Sequence, residues 1–353
     1  MWRQMDARVK LRAFSAKSWG GACLALCTIL HSGCQGSTST PLVTVSPSPA
    51  QTATSSPAPT PLPTRTPTPT RTPTPTLTPT ATPTPLPQHL YVANDAGYVS
   101  VYAANPSADE TPLATISSDL IRPRGVALDS AANIYVADRA AVNVKIYAAH
   151  PGGNEPPLVT LASRMVDPTG VALDGRDRIY VSDGGGGNVN VYASHPTGDE
   201  APLVTITLGL SDPLGIAVGA DGKIYVADFA GRVNIYAANP AADEAPLVTL
   251  TSGLSGPQAV ALDAQGNIYV ADSAGYFNVY AAAPSGNEPP LVTVSNAINL
   301  PMGIAVDDRE QIYIADFGEN DVKMYPPNFT GNEPPIATIT AGVGNPAGIA
   351  VGP

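Results

Sequence analysis

Residues 89–353 predict an all-β ring of six four-stranded blades, and three observations carry that expectation. A strand-like unit of the form Ile-Tyr-Val-Ala-Asp recurs, marked by Tyr91, Tyr135, Tyr180, Tyr225, Tyr269 and Tyr313 at spacings of 44 or 45 residues. A second Tyr closes the next apolar run of every copy (Tyr102, Tyr147, Tyr192, Tyr236, Tyr280, Tyr325), so two repeat positions hold twelve of the 14 tyrosines. Finally, the last copy breaks off after one strand, Pro346-Ala-Gly-Ile-Ala-Val351, whereas the first copy, from Leu90, lacks that strand. A period of this length marks a repeat architecture.

Each element follows from local chemistry, as the copy at 213–250 illustrates. Pro213-Leu-Gly-Ile-Ala-Val218 is a short apolar run ended by the turn Gly219-Ala-Asp-Gly222. Ile224-Tyr-Val-Ala227 follows, then a turn from Asp228 to Gly231, then Val233-Asn-Ile-Tyr236. A Pro-rich loop leads to Leu247-Val-Thr-Leu250. Runs rich in Val, Ile, Tyr and Thr between Gly, Asp, Asn and Pro clusters are strands, and no window has a helical period of useful length. Four strands in about 45 residues make one blade of a β-propeller. The opening Pro recurs at Pro123, Pro168, Pro213, Pro257, Pro301 and Pro346. The spare C-terminal strand is therefore expected to complete the three N-terminal strands as a sixth blade. Closing the ring in this way leaves no blade without a neighbour and covers edges that would otherwise invite aggregation.

The pattern Pro-x-Gly-[Ile/Val]-Ala-[Leu/Val]-Asp, then Gly-x-Ile-Tyr-Val-Ala-Asp, then Val-x-Val-Tyr resembles the NHL repeat, as in Pro257-Gln-Ala-Val-Ala-Leu-Asp263 through Tyr280. The resemblance spans 89–353 and implies a six-bladed propeller. It implies no single activity, because NHL-like propellers include RNA-binding adaptors, extracytoplasmic sensors, amidating lyases and lactonases.

Two further segments precede the ring. Residues 1–34 read as an export signal: five basic residues, then the apolar run 19–30, too short to span a bilayer. Its end, Ser32-Gly33-Cys34, resembles a bacterial lipoprotein signal, although His31 stands where an aliphatic residue is usual. Lipidation of Cys34 would anchor the protein on the outer face of a bacterial membrane. Ordinary cleavage, the alternative, would secrete it. With Cys23 and Cys27 removed as well, the ring has no cysteine and hence no thiolate or disulfide chemistry. Residues 35–88 form a linker in which 36–87 contain 15 Pro, mostly alternating with Thr. Such a segment propagates neither helix nor sheet, and a disordered, extended stalk is expected.

Charge separates these segments. The whole chain carries −11; residues 1–88 hold seven basic residues against one acid, and the ring holds 11 basic against 28 acidic residues, or −17. A body so acidic repels phosphate backbones, which argues against a nucleic-acid partner.

Candidate site residues fall into three sets. Asp138, Asp183, Asp228, Asp272 and Asp316, with Asn94 in the first copy, begin the loops between second and third strands. They share a face with the Pro-x-Gly entry loops, which hold Arg122 and Arg124. A ring of carboxylates there suits a cationic group or a structural calcium ion, while capping of strand ends explains the same residues without a ligand. An acidic rim, expected on the opposite face, comprises Glu110, Glu155, Glu200, Glu244, Glu288 and Glu333. It suits a cationic partner or plain solubility. His150 and His195 occupy equivalent loop positions and are metal-ligand candidates, yet no third or fourth ligand is evident. Asn105, Asn239 and Asn328 fill the same slot elsewhere, which points to turn capping.

No nucleophile-elbow, zinc-protease or phosphate-loop motif occurs, and Gly184–Gly187 follows a strand without opening a helix. The expectation is a monomeric, non-catalytic binding or scaffold module for a protein, peptide or glycan, without a cofactor. The alternative is a lactonase-like hydrolase or lyase with a metal held in the channel by Asp or Asn. Non-repeating polar residues along the channel would favour that alternative.

Overall fold

The computed structural model describes residues 88–103, 105–149, 154–327 and 329–353. The export signal with Cys34, the Thr-Pro linker up to residue 87, and His150 lie outside the described residues. Those that are described form six four-stranded antiparallel sheets and no helix.

The second blade shows the plan. Its inner strand, Pro123–Leu128, pairs with Ile134–Asp138, which pairs with Asn143–Tyr147, which pairs with the three-residue outer strand Val159–Leu161. Blades three to six repeat this order at 168–206, 213–250, 257–294 and 301–339. The first blade is composite: C-terminal Pro346–Gly352 supplies the inner strand and pairs with His89–Asn94. This is the closure that the unequal ends of the repeat array predict.

The second strands of blades two to six are buried at every position, and that of blade one at every position after His89, which is why they read Ile-Tyr-Val-Ala-Asp without the polar alternation of a half-exposed strand. Six apolar clusters lie between successive blades, the last joining blade six to blade one. In the cluster between blades one and two, for instance, Tyr147 of blade two meets Val99, Val101 and Ile116 of blade one. Its hydroxyl donates to the carbonyl of Ser118 at 2.6 Å. The same bond, third-strand Tyr to the connection leaving the preceding blade, recurs from Tyr102, Tyr192, Tyr236, Tyr280 and Tyr325. The repeated Tyr thus fills an interface with its ring and satisfies a loop carbonyl with its tip.

The loops from third to outer strand also latch neighbours. Asp199 accepts the amides of Ala162 and Ser163 in the preceding blade at 2.8 and 2.7 Å, and Asp243 and Asn287 do the same one and two blades on. These three residues immediately precede Glu200, Glu244 and Glu288, which places those members of the acidic rim beside the end of the preceding blade's outer strand.

Candidate binding site at the channel mouth

The inner strands surround a central channel, and a break in their pairing positions the groups at its mouth. In blade two Pro123 pairs with Asp138 and Gly125 with Ala137, leaving Arg124 as an extra, unpaired residue. Equivalent shifts fall at Thr169, Gln258 and Met302, at Leu214-Gly215, and at Ala347. A bulge breaks the strict in-out alternation of a strand and re-aims its side chain. The Pro supports it, since a residue without an amide proton costs the ladder nothing at that point.

Six bulges bring Arg124, Thr169, Leu214, Gln258, Met302 and Ala347 around one mouth, a cavity of about 70 Å³ that opens to solvent. No two are alike, although all fill the x of one repeated motif. The residue after each is small because the strands approach closely: a Cβ on Gly215 would lie 2.5 Å from Cα of Ala259. Below them Val126, Val171, Ile216, Val260, Ile304 and Ile349 form an aliphatic waist shared with the cavity at the other end of the channel. That far end is lined largely by Leu128, Leu173, Val218, Leu262, Val306 and Val351. The channel therefore has one mixed mouth that carries a cation and one whose side chains are mainly aliphatic, with Asp129 at its edge.

Around the first mouth the repeats diverge most in blades two to four. Arg122 grips Asp95 of blade one through Nε and Nη2, at 3.1 and 2.6 Å. Arg139 grips Asp167 of blade three, at 2.6 and 2.9 Å. Asp212 of blade four has its carboxyl pushed up by burial, and further by Asp228 and Asp167. Arg124 stands among these charges without an ion pair or side-chain hydrogen bond among the described residues. Burial pulls its guanidinium below the ordinary value, and Arg139 adds repulsion. It remains protonated at neutral pH, as guanidinium groups do in proteins. Across the ring, three blades away, Gln258 is 8% exposed and its carboxamide likewise has no partner there. Thr169 differs, because its hydroxyl donates to the carbonyl of Pro213 at 2.9 Å.

The five Asp singled out from the sequence are fully buried. The Asp138 carboxylate accepts the amides of Ile121 and Arg122 at 2.8 and 2.9 Å, and Asp183, Asp228, Asp272 and Asp316 hold the entry loops of their own blades likewise. Asn94 performs the same task with one oxygen, accepting the Gly344 amide at 2.8 Å. With their oxygens turned to backbone amides, these side chains form no open cradle for calcium. Two of the carboxylates, Asp138 and Asp316, also meet a buried ammonium, Lys145 and Lys323.

The structure distributes the remaining candidates around the ring instead of gathering them. Glu200, Glu288 and Glu333 each fold back on an amide three residues earlier, and Glu110 does so at 3.0 Å. Amides and the hydroxyl of Thr330 hold the Glu333 carboxyl down at about 2. Glu155 and Glu244 are exposed. His195 has φ of 50°, beside 57° at Asn105, 52° at Asn239 and 47° at Ala283, so the slot is a left-handed turn position. Its Nε2 lies 3.6 Å from Asp177, with the side chain 61% exposed. Gly184–Gly187 forms the turn after the second strand of blade three. Among the described residues no three His, Cys, Asp or Glu side chains converge as a metal site.

Sequence reasoning named Arg124 and overlooked its five counterparts. A signal was present: within a nearly invariant strand, the x of Pro-x-Gly is the position that differs in every copy.

The class of protein is thus a closed six-bladed β-propeller whose irregular groups meet at one channel mouth. One family model, Strictosidine synthase-like, N-terminal, matches residues 235–276, a stretch that includes the Gln258 bulge and is about one blade long. No curated protein matches the chain.

Proposed function

We propose that this chain is a binding module whose ring takes a protein, peptide or glycan at the Arg124–Gln258 mouth. In this reading it is exported and held at a bacterial membrane through lipidated Cys34, with the Thr-Pro segment as a stalk. The observation that supports recognition at this mouth is its non-repetition. Six different side chains occupy equivalent bulges, mixing a cation, an amide and apolar groups, as selective binding sites do.

One observation favours a second reading, a propeller hydrolase or lyase: an uneven channel is also what a catalytic site needs, and the matched family model carries a synthase name. The donor set does not fit the metal-dependent form of that reading, since no bulge position carries Asp, Asn, Glu or His and a guanidinium faces the space a cation would fill.

The test is retention of envelope components by the intact chain, compared with Leu214→Arg at the mouth and Glu244→Ala at the rim, alongside ester, lactone and sugar-ester turnover assays. Loss of one retained partner by Leu214→Arg alone is expected. Retention that ignores the mouth substitution, or turnover by the purified chain, would overturn the reading.

A further inference from the structure

We propose that the ligand taken at this mouth presents an oxyanion, a carboxylate or a phosphate, to the guanidinium of Arg124, with the Gln258 carboxamide contacting the same ligand from across the channel. The inference rests on the binding reading above and adds the chemistry of the recognised group.

The first support is the contrast among guanidinium groups on this face. Arg122 and Arg139 each hold an aspartate through two nitrogens, and Arg232 lies 3.5 Å from Asp228. Arg124 alone of these four has no such partner, although it is the one drawn into the mouth. Asp95 and Asp167 are engaged by its neighbours and, like Asp212, act on Arg124 only through space. A half-buried cation without a directly paired, hydrogen-bonded counter-charge is costly to maintain, because neighbouring carboxylates at a distance offset its withdrawal from water only in part. An incoming oxyanion supplies that offset, and the planar fork of Arg matches its two oxygens.

The second support lies opposite. Gln258 is nine-tenths buried at the equivalent bulge and lines the same cavity with a carboxamide that has no hydrogen-bond partner among the described residues. A carboxamide donates and accepts, so it can bind a hydroxyl, an amide or a second oxygen of the ligand. The apolar bulges, Leu214, Met302 and Ala347, fill most of the remaining rim and favour an aliphatic body behind the charged group. The ring as a whole carries −17, so long-range steering works against an anion. Recognition must then come from the short-range geometry at Arg124.

The experiment is calorimetric titration of the full chain with citrate in one arm and inorganic phosphate in the other, using wild type, Arg124→Gln, Arg124→Lys and, as a control in a turn at the far end of the blade, Arg176→Gln. Saturable one-to-one binding in at least one arm is expected, and that arm identifies the class of oxyanion. Arg124→Gln should weaken it by about tenfold or more, the usual worth of a charge-assisted pair. Arg124→Lys should fall between, and Arg176→Gln should match wild type. Should Arg124→Gln fail to fold, iodide-soaked wild-type crystals still decide, with an anomalous peak expected beside the guanidinium. The proposal is overturned by absence of binding in both arms up to about 10 mM, by unchanged affinity in a folded Arg124→Gln protein, or by an iodide map without that peak. If anions fail to bind while Leu214→Arg still abolishes partner retention, the oxyanion is wrong and the binding mouth stands.

Discussion

Replacing Asp272 by Ala removes an acceptor that organises the entry loop of blade five. Its Oδ2 takes the Ser255 amide at 2.8 Å, both oxygens share the Gly256 amide at 3.1 Å, and Oδ1 takes the Ala274 amide at 3.0 Å. The side chain is fully buried, so water cannot readily replace it. Three amides lose their partner at a net cost of about 1 to 1.5 kcal/mol each, which puts Asp272→Ala about 3–5 kcal/mol below wild type. Asp272→Asn keeps one oxygen, and blade one shows how an amide is accommodated. There Asn94 accepts with Oδ1 and turns Nδ2 to the Val92 carbonyl at 3.0 Å and to the Ser100 hydroxyl at 3.2 Å. A cost of about 1–2 kcal/mol is therefore expected for Asp272→Asn. Urea unfolding followed by far-ultraviolet circular dichroism measures both values, and hydrogen exchange at Ser255 and Gly256 localises the change. The reasoning fails if Asp272→Ala lies within about 0.5 kcal/mol of wild type, the range of inert surface changes, or if Asn is as damaging as Ala.

Other expectations follow from single features. Deleting residues 346–353 removes the strand that pairs with His89–Asn94; cooperative unfolding should be lost and larger species should appear on gel filtration, while an unchanged monomer with an unchanged midpoint would contradict the clasp. Val142 has φ of 55° where other blades have Gly97, Gly187, Gly231, Gly275 or Asn320. Relief of roughly 1–2 kcal/mol of left-handed strain, less the chain entropy that Gly adds, makes Val142→Gly more stable by about 0.5–1 kcal/mol, and a lower unfolding midpoint would refute that account. Burial first pushes the hydroxyls of Tyr102 and Tyr180 from 10.0 up to about 12. A folded-state value above the unfolded one means that this stability is fully present below about pH 10 and is lost as pH rises towards about 12. Tyrosinate absorbance should therefore rise late and together with unfolding, whereas independent titration near pH 10 in the folded state would disprove it.

Much of the ring was legible because its cause is local and repeated. The Tyr spacing, the turn residues and the unequal ends specify four strands per blade, six blades and the clasp, and each structural sheet matches them. Capping by Asp138 and its equivalents was one of two readings open from sequence, since Asn94 at the same position hints that an acceptor suffices where a charge is dispensable. The mouth was much less legible. Pro-x-Gly reads as the start of a strand, and ordinary alternation gives no reason to aim x into the channel.

By itself the sequence determined the architecture, because repetition turns weak local preferences into one consistent period. It also determined the −17 charge of the ring and the absence of thiol chemistry from it. Only the tertiary structure decided which side chains face one another. Arg124 and Gln258 are separated by three repeats in the chain, and they meet because ring closure places blades two and five opposite and a bulge turns both residues inward. The pairing of Arg122 with Asp95 and of Arg139 with Asp167, which leaves Arg124 without an ion pair among the described residues, likewise depends on contacts between blades. Spacing encodes the path of one chain through one blade, whereas charge pairing across a ring depends on distances that exist only after the ring closes.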